Sequence, residues 1–135
     1  MFTIEPDPEL AARAHKRFSH MPTVTVIEGA SEDVLPDLLP RIVGPVAFWL
    51  DGHFSGGVTH RGNTDTPILA ELTTIEQHLP TLQPVTVIVD DMRCFDPSHS
   101  PYAAYPSRDA LVAWATRNKL AWHVEHDMFV ARYSG

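Results

Sequence analysis

Residues 1–18 read MFTIEPDPELAARAHKRF, and the order of residue types in them decides how the rest of the chain is parsed. Phe2, Thr3 and Ile4 favour a strand, Glu5 ends it, Asp7 is of the type that caps a helix, and Pro8 suits a first helical position. Strand, carboxylate, helix is a unit usually found in the middle of a nucleotide-binding fold. Here it opens the sequence.

Working outward, the chain alternates β-branched runs with amphipathic segments. The pattern predicts strands at 2–5, 23–27, 45–51, 84–91, 120–125 and 128–133, and helices at about 8–19, 31–42, 66–79 and 107–118. Four of these strands hand over to a helix or a long loop, which is the mark of parallel βαβ units covered on both faces; "VAFWL" and "VTVIV" accordingly read as continuous apolar runs. The last two strands are separated only by "HD" and are expected to form an antiparallel hairpin. The expectation is a single domain over residues 1–135: a three-layer α/β fold with a mostly parallel sheet, the strands of 45–51 and 84–91 adjacent at its centre, and the hairpin at one edge.

Composition narrows the function. With 44% hydrophobic and 20% charged residues the chain is ordinary globular material. A formal charge of −7, with ten scattered Lys and Arg, argues against nucleic-acid and anionic-membrane partners, which need clustered positive charge. A small-molecule partner fits better. No apolar run approaches the roughly 20 residues of a membrane helix. Cys94 has no second cysteine to bridge to, so a reducing, cytoplasmic setting is the expectation and a buried thiol its plain role.

In an open α/β sheet ligands lie outside the carboxyl ends of the parallel strands. Those ends carry Glu5, Glu28, Asp51, Asp90 and Asp91. Glu5 offers two acceptor oxygens to the hydroxyls of a ribose, or is simply a solvated strand end. Asp91 either joins a site or caps the next turn. His53, on the Gly-rich loop of "WLDGHFSGG", is a candidate catalytic group or a hydrogen-bonded loop residue. Asp51, Asp90 and Asp91 sit on strands about 5 Å apart and can share a hard cation such as Mg²⁺; the alternative is a carboxylate cluster held apart by water and Arg93.

"FTIEPDPELAARAHKRF", "VTVIEGASEDVLPDLL", "AFWLDGHFSGG", "DTPILAELTTI" and "VTVIVDDMRCF" resemble, in that order, the class I S-adenosylmethionine-dependent methyltransferases, and within them the small-molecule O-methyltransferases related to macrocin O-methyltransferase. The resemblance implies a Rossmann-like fold, S-adenosylmethionine as cofactor, Mg²⁺ or another divalent cation, and O-methyl transfer to a small-molecule acceptor. It assigns the cofactor ribose to Glu5, the metal to Asp51, Asp90 and Asp91, and the neighbourhood of the acceptor to His53. Asp51 and His53 are the implied catalytic residues, and Glu5, Ser31 and Asp51 the implied cofactor contacts. Ser31 enters because Ala30 stands where the family often has an acid for the adenine amino group.

The family's first strand and glycine-rich loop have no counterpart here, so the likeness begins at the second strand and implies an N-terminally truncated fold. In the family that first strand lies between the second and the fourth. Without it two buried-type edges face each other with unpaired N–H and C=O groups. Either residues 2–5 pair with 45–51, or a second copy closes the gap and the chain is a homodimer. A catalytically inactive remnant serving as a binding or oligomerisation module is the alternative to an active methyltransferase.

Overall fold

A computed structural model describes residues 1–51, 66–96, 98 and 105–133. In chain order the elements are β1 (Phe2–Glu5), α1 (Pro8–Phe18), β2 (Thr25–Glu28), α2 (Ser31–Leu38), β3 (Val46–Leu50), α3 (Ile68–His78), β4 (Val85–Val89), α4 (Arg108–Arg117), β5 (Leu120–Glu125) and β6 (Met128–Tyr133). Asp7 caps α1 as its residue type suggested: one carboxylate oxygen accepts from the amides of Glu9 and Leu10 at 2.9 and 3.0 Å. His15, Lys16 and Arg17 in the last turn oppose the negative end of the helix dipole. The helix expected over 31–42 stops at Leu38 and tightens into a 3₁₀ turn at Leu39–Arg41. Pro40 explains this, since it has no N–H to donate to the carbonyl of Pro36 four residues back and the α ladder cannot continue through it.

The strands form two sheets where one was expected. β1 pairs with β2 in parallel, Phe2 opposite Thr25 through Glu5 opposite Glu28. The second sheet has the order β3-β4-β6-β5, parallel between β3 and β4 and antiparallel between β4 and β6 and between β6 and β5. The larger sheet is therefore mixed, and the expectation of one mostly parallel sheet is corrected. β3 and β4 are adjacent as predicted, but β3 is an edge, and β4 with β6 forms the centre. The β5–β6 hairpin turns through His126 and Asp127, both at positive φ (48° and 65°), the twist a two-residue hairpin turn requires. No ladder joins β1 to β3, so direct pairing of residues 2–5 with 45–51 is not how this chain is arranged.

One face of the four-stranded sheet carries the core. Phe48, Leu50, Val87, Val89, Phe129 and Ala131 meet Leu35 of α2, Leu72 and Ile75 of α3, and Leu111 and Trp114 of α4 in one buried cluster. The Trp114 indole donates to the Leu72 carbonyl at 3.1 Å and ties α4 to α3. On the other face Ala47, Trp49, Thr86, Ile88, Val130 and Arg132 are in register and none is buried; Trp49 is 58% exposed. The prediction of cover on both faces thus fails for β3 and β4. The reason is the reach of α1: it lies against β1 and β2, where Ala11 and Val26 are buried outside the main cluster, and it does not extend over the larger sheet.

Candidate functional site

The ladder that pairs Leu50 with Val89 sets the next residues, Asp51 and Asp90, side by side at the carboxyl ends of β3 and β4. The Asp90 amide donates to the Leu50 carbonyl at 3.0 Å and extends the pairing by one step. Asp51, Asp90 and Asp91 line one narrow cleft together with Thr66, Glu71, Phe95 and Tyr105. The strand-end acids predicted to converge from β3 and β4 are brought together.

Asp91 departs from the strand at φ 57°, ψ 48°, a left-handed conformation that Asp adopts more readily than most residues. Its amide donates to Asp90 Oδ1 at 2.8 Å, and its own carboxylate contacts the Arg93 guanidinium at 2.6 Å. Arg93 also pairs with the Asp127 carboxylate, while the Arg93 amide donates to Asp127 Oδ1 at 2.9 Å and the Met92 amide to the Asp127 carbonyl at 2.8 Å. Asp127 first, then Asp91, holds the Arg93 guanidinium above its ordinary pKa. The hairpin turn is thereby stitched to the segment that carries the acids. Among the described residues no group of three or more His, Cys, Asp or Glu is arranged to hold a metal ion. As placed, the acids form a pair of strand-end carboxylates beside a salt-bridged third.

The other expected residues lie apart. Glu5 ends β1 opposite Glu28, and its Oε1 accepts from the Asp7 amide at 2.9 Å, so part of its acceptor capacity serves the turn into α1. Ser31 is the first residue of α2. Neither lines the cleft of Asp51 and Asp90. His53 lies outside the described residues.

Sequence reasoning missed Glu71. It sits on α3 with Ile68, Leu72 and Ile75, is 3% exposed, and its Oε2 has no hydrogen-bond partner among the described residues. Burial pushes its carboxyl up to about 7; a hydrogen bond with the Ser31 side chain works against this and the Glu32 charge adds to it. The available signal was positional: a Glu three residues after Ile68 and four before Ile75 falls on the apolar stripe of the helix. Comparison with known proteins finds no matching family model and no matching curated protein.

Proposed function

We propose that this chain is a methyltransferase-like domain of Rossmann-like type that binds S-adenosylmethionine and acts on a hydroxyl of a small molecule. The observation that supports the reading is the strand arrangement. Among the described residues β1 and β3 stand at the edges of two sheets, the positions that flank the first strand in the family resembled, and the candidate acids end β1, β3 and β4. Bound cofactor supplies an electrophilic methyl group. The chain's own part would be to orient and to take a proton: Glu5 would hold the ribose through the oxygen not given to Asp7, Ser31 would be the polar group offered to the adenine, and Asp51 with His53 would take the proton of the acceptor hydroxyl. A reducing cytoplasm suits the single cysteine, Cys94, which is buried, and no described helix is long and apolar enough to cross a membrane.

The divalent cation belongs to this reading with a condition. Asp51 and Asp90 would meet one ion as a pair of neighbours, and Asp91 must exchange Arg93 for it.

Calorimetry with S-adenosylmethionine tests the cofactor. The glycine-rich loop of the family has no counterpart in residues 1–135, which removes three or four backbone donors worth on the order of 1 kcal/mol each and weakens binding by about 10² to 10³-fold. A near-millimolar constant that is lost in Glu5→Ala is expected; no saturable heat in the wild type refutes the reading.

A second reading, an oligomerisation module without turnover, is favoured by one observation. This sheet face presents Trp49 at 58% exposure beside Ala47, at an edge that has no ladder partner among the described residues. A homodimer that covers this region is the form it takes.

A further inference from the structure

Glu71 holds a carboxyl where the surrounding helix face calls for a hydrocarbon. It lies on α3 beside Ile68, Leu72 and Ile75, is 3% exposed, and its Oε2 meets no hydrogen-bond donor among the described residues. In such a place the acid is tolerated and the anion is costly, because a carboxylate needs donors or water on both oxygens.

The element that seals it is α2. This helix packs on α3, and the side chain of its first residue, Ser31, is the group that meets the carboxyl. The start of α2 is in turn fastened to the smaller sheet. Directly after β2 the Gly29 amide donates to the Glu5 carbonyl at 3.0 Å, and Gly29, at φ 148°, lies so close to α2 that an added Cβ would stand 2.8 Å from Val34 Cγ2. β1, β2 and the first turn of α2 therefore form one piece, and Glu71 sits under the joint between that piece and the main core. Of the titratable groups around it, Glu32 on α2 adds a like charge, while Asp51, Asp90, Asp91 and Tyr105 border the same cleft from the ends of β3 and β4 and the segment before α4. Arg93 is engaged by Asp91 and Asp127, and on α3 itself Glu76 pairs with Arg117. Burial is the largest influence on the Glu71 carboxyl, so its response is set by whether α2 stays down. Displacing an eight-residue helix gives the anion water at far smaller cost than dismantling the four-stranded sheet.

We propose that Glu71 is a pH-sensitive latch: losing its proton frees the start of α2, and with it the β1–α1–β2 unit, from the four-stranded sheet, and regaining the proton fastens the unit again. The inference stands independently of the cofactor reading, because release of the unit is measured without any ligand.

Hydrogen exchange of the whole chain, read by mass spectrometry between pH 4 and 8 with a chelator present, tests this against Glu71→Gln, which keeps the shape and cannot ionise. The ratio of wild-type to variant rates at one pH cancels the intrinsic pH dependence of exchange. Burial raises the carboxyl from 4.5 to about 7, so an opening that hydrates Glu71 gains up to about tenfold for each unit of that difference. At Val26 and Ile27 the ratio should rise from near one at pH 4 to about a hundredfold at pH 8, levelling above about 7. Ser31→Ala, measured against the same change combined with Glu71→Gln, should carry the rise to higher pH, because it removes a hydrogen bond that favours the anion. The proposal is overturned if the ratio at Val26 and Ile27 stays flat while that at Val87 and Ile88 rises, since the unit then opens with Glu71 still buried. A ratio that changes nowhere with pH overturns it too, as does a profile unmoved by Ser31→Ala, which takes α2 out of the contact. So does a wild type better protected than Glu71→Gln above pH 7, which would mean that the carboxylate holds the amides at the start of α2 instead of releasing them.

Discussion

Replacing Glu71 by Gln should make the protein more stable at alkaline pH and have little effect in acid. The carboxyl is raised from 4.5 to about 7 in the folded chain, chiefly by burial. Between these two values the folded state holds a proton that the unfolded state has released, so stability falls as pH rises through that interval. Below about pH 4.5 both states are protonated and the group costs nothing; above about 7 both are ionised and the full penalty applies. At 1.36 kcal/mol per pKa unit the penalty is about 3 kcal/mol, an upper figure because the site relaxes on ionisation. Gln has the same shape, keeps an oxygen for the Ser31 hydroxyl and carries no charge. Urea melts of wild type and Glu71→Gln at several pH values read the difference directly, and the contributions of the eight histidines cancel in it. The variant should lead by about 2–3 kcal/mol near pH 8, which is about 10 °C in Tm for a chain of this size, and the lead should vanish towards pH 4.5. A lead that does not shrink on acidification, or a variant less stable than wild type at pH 8, refutes the argument that an ionisable buried carboxyl is the cause.

Three further outcomes are expected. Millimolar Mg²⁺ should raise the Tm of the wild type and raise it more in Arg93→Ala, which releases Asp91, and Asp90→Ala should abolish the effect; no shift in either of the first two removes the cation. Asp7→Ala should lower stability by about 1 kcal/mol in a denaturant melt, because two amides of the first turn of α1 lose their acceptor; an unchanged midpoint would show that water replaces the cap without cost. Light scattering across micromolar concentrations should show association in the wild type that Trp49→Glu abolishes, and a monomeric mass at every concentration would leave the exposed sheet face without a partner copy.

Local order was legible in the residues. The β-branched runs, Asp7 with Pro8, and the two-residue stretch before β6 place the elements within a few positions of where they lie, because propensity, capping and turn chemistry act over a few residues. The side-by-side placing of Asp51 and Asp90 follows from strand ends alone. What stayed hidden depends on partners far away in sequence. The division into two sheets is decided by which edges lack a neighbour, and "VAFWL" looks the same whether one face or both are covered. Arg93 was legible as a cation among the acids, but its division between Asp91 and Asp127 was not, since Asp127 lies 34 residues away on the hairpin. Glu71 becomes notable only once α2 has folded against α3 and sealed it from water. His53 lies outside the described residues, and its assignment rests on the resemblance.

Because β1–β2 and β3–β4–β6–β5 share no backbone hydrogen bond, the two ladders can break at different free energies. What couples them is side-chain packing: Ile4 against the main cluster, and α2, whose Leu35 belongs to it. Opening the first thirty or so residues exposes the small buried residues Ala11 and Val26 and breaks those links, whereas opening β4 dismantles the core. Amide hydrogen exchange should therefore divide the chain into two cooperative units, with Val26 and Ile27 exchanging through a low-energy partial opening and Val87 and Ile88 only through global unfolding. Of the two units, the N-terminal β1–α1–β2 is then the one that proteases reach before the larger sheet, and anything that bridges β1 to β3 would be seen as a rise in its protection to the level of that sheet.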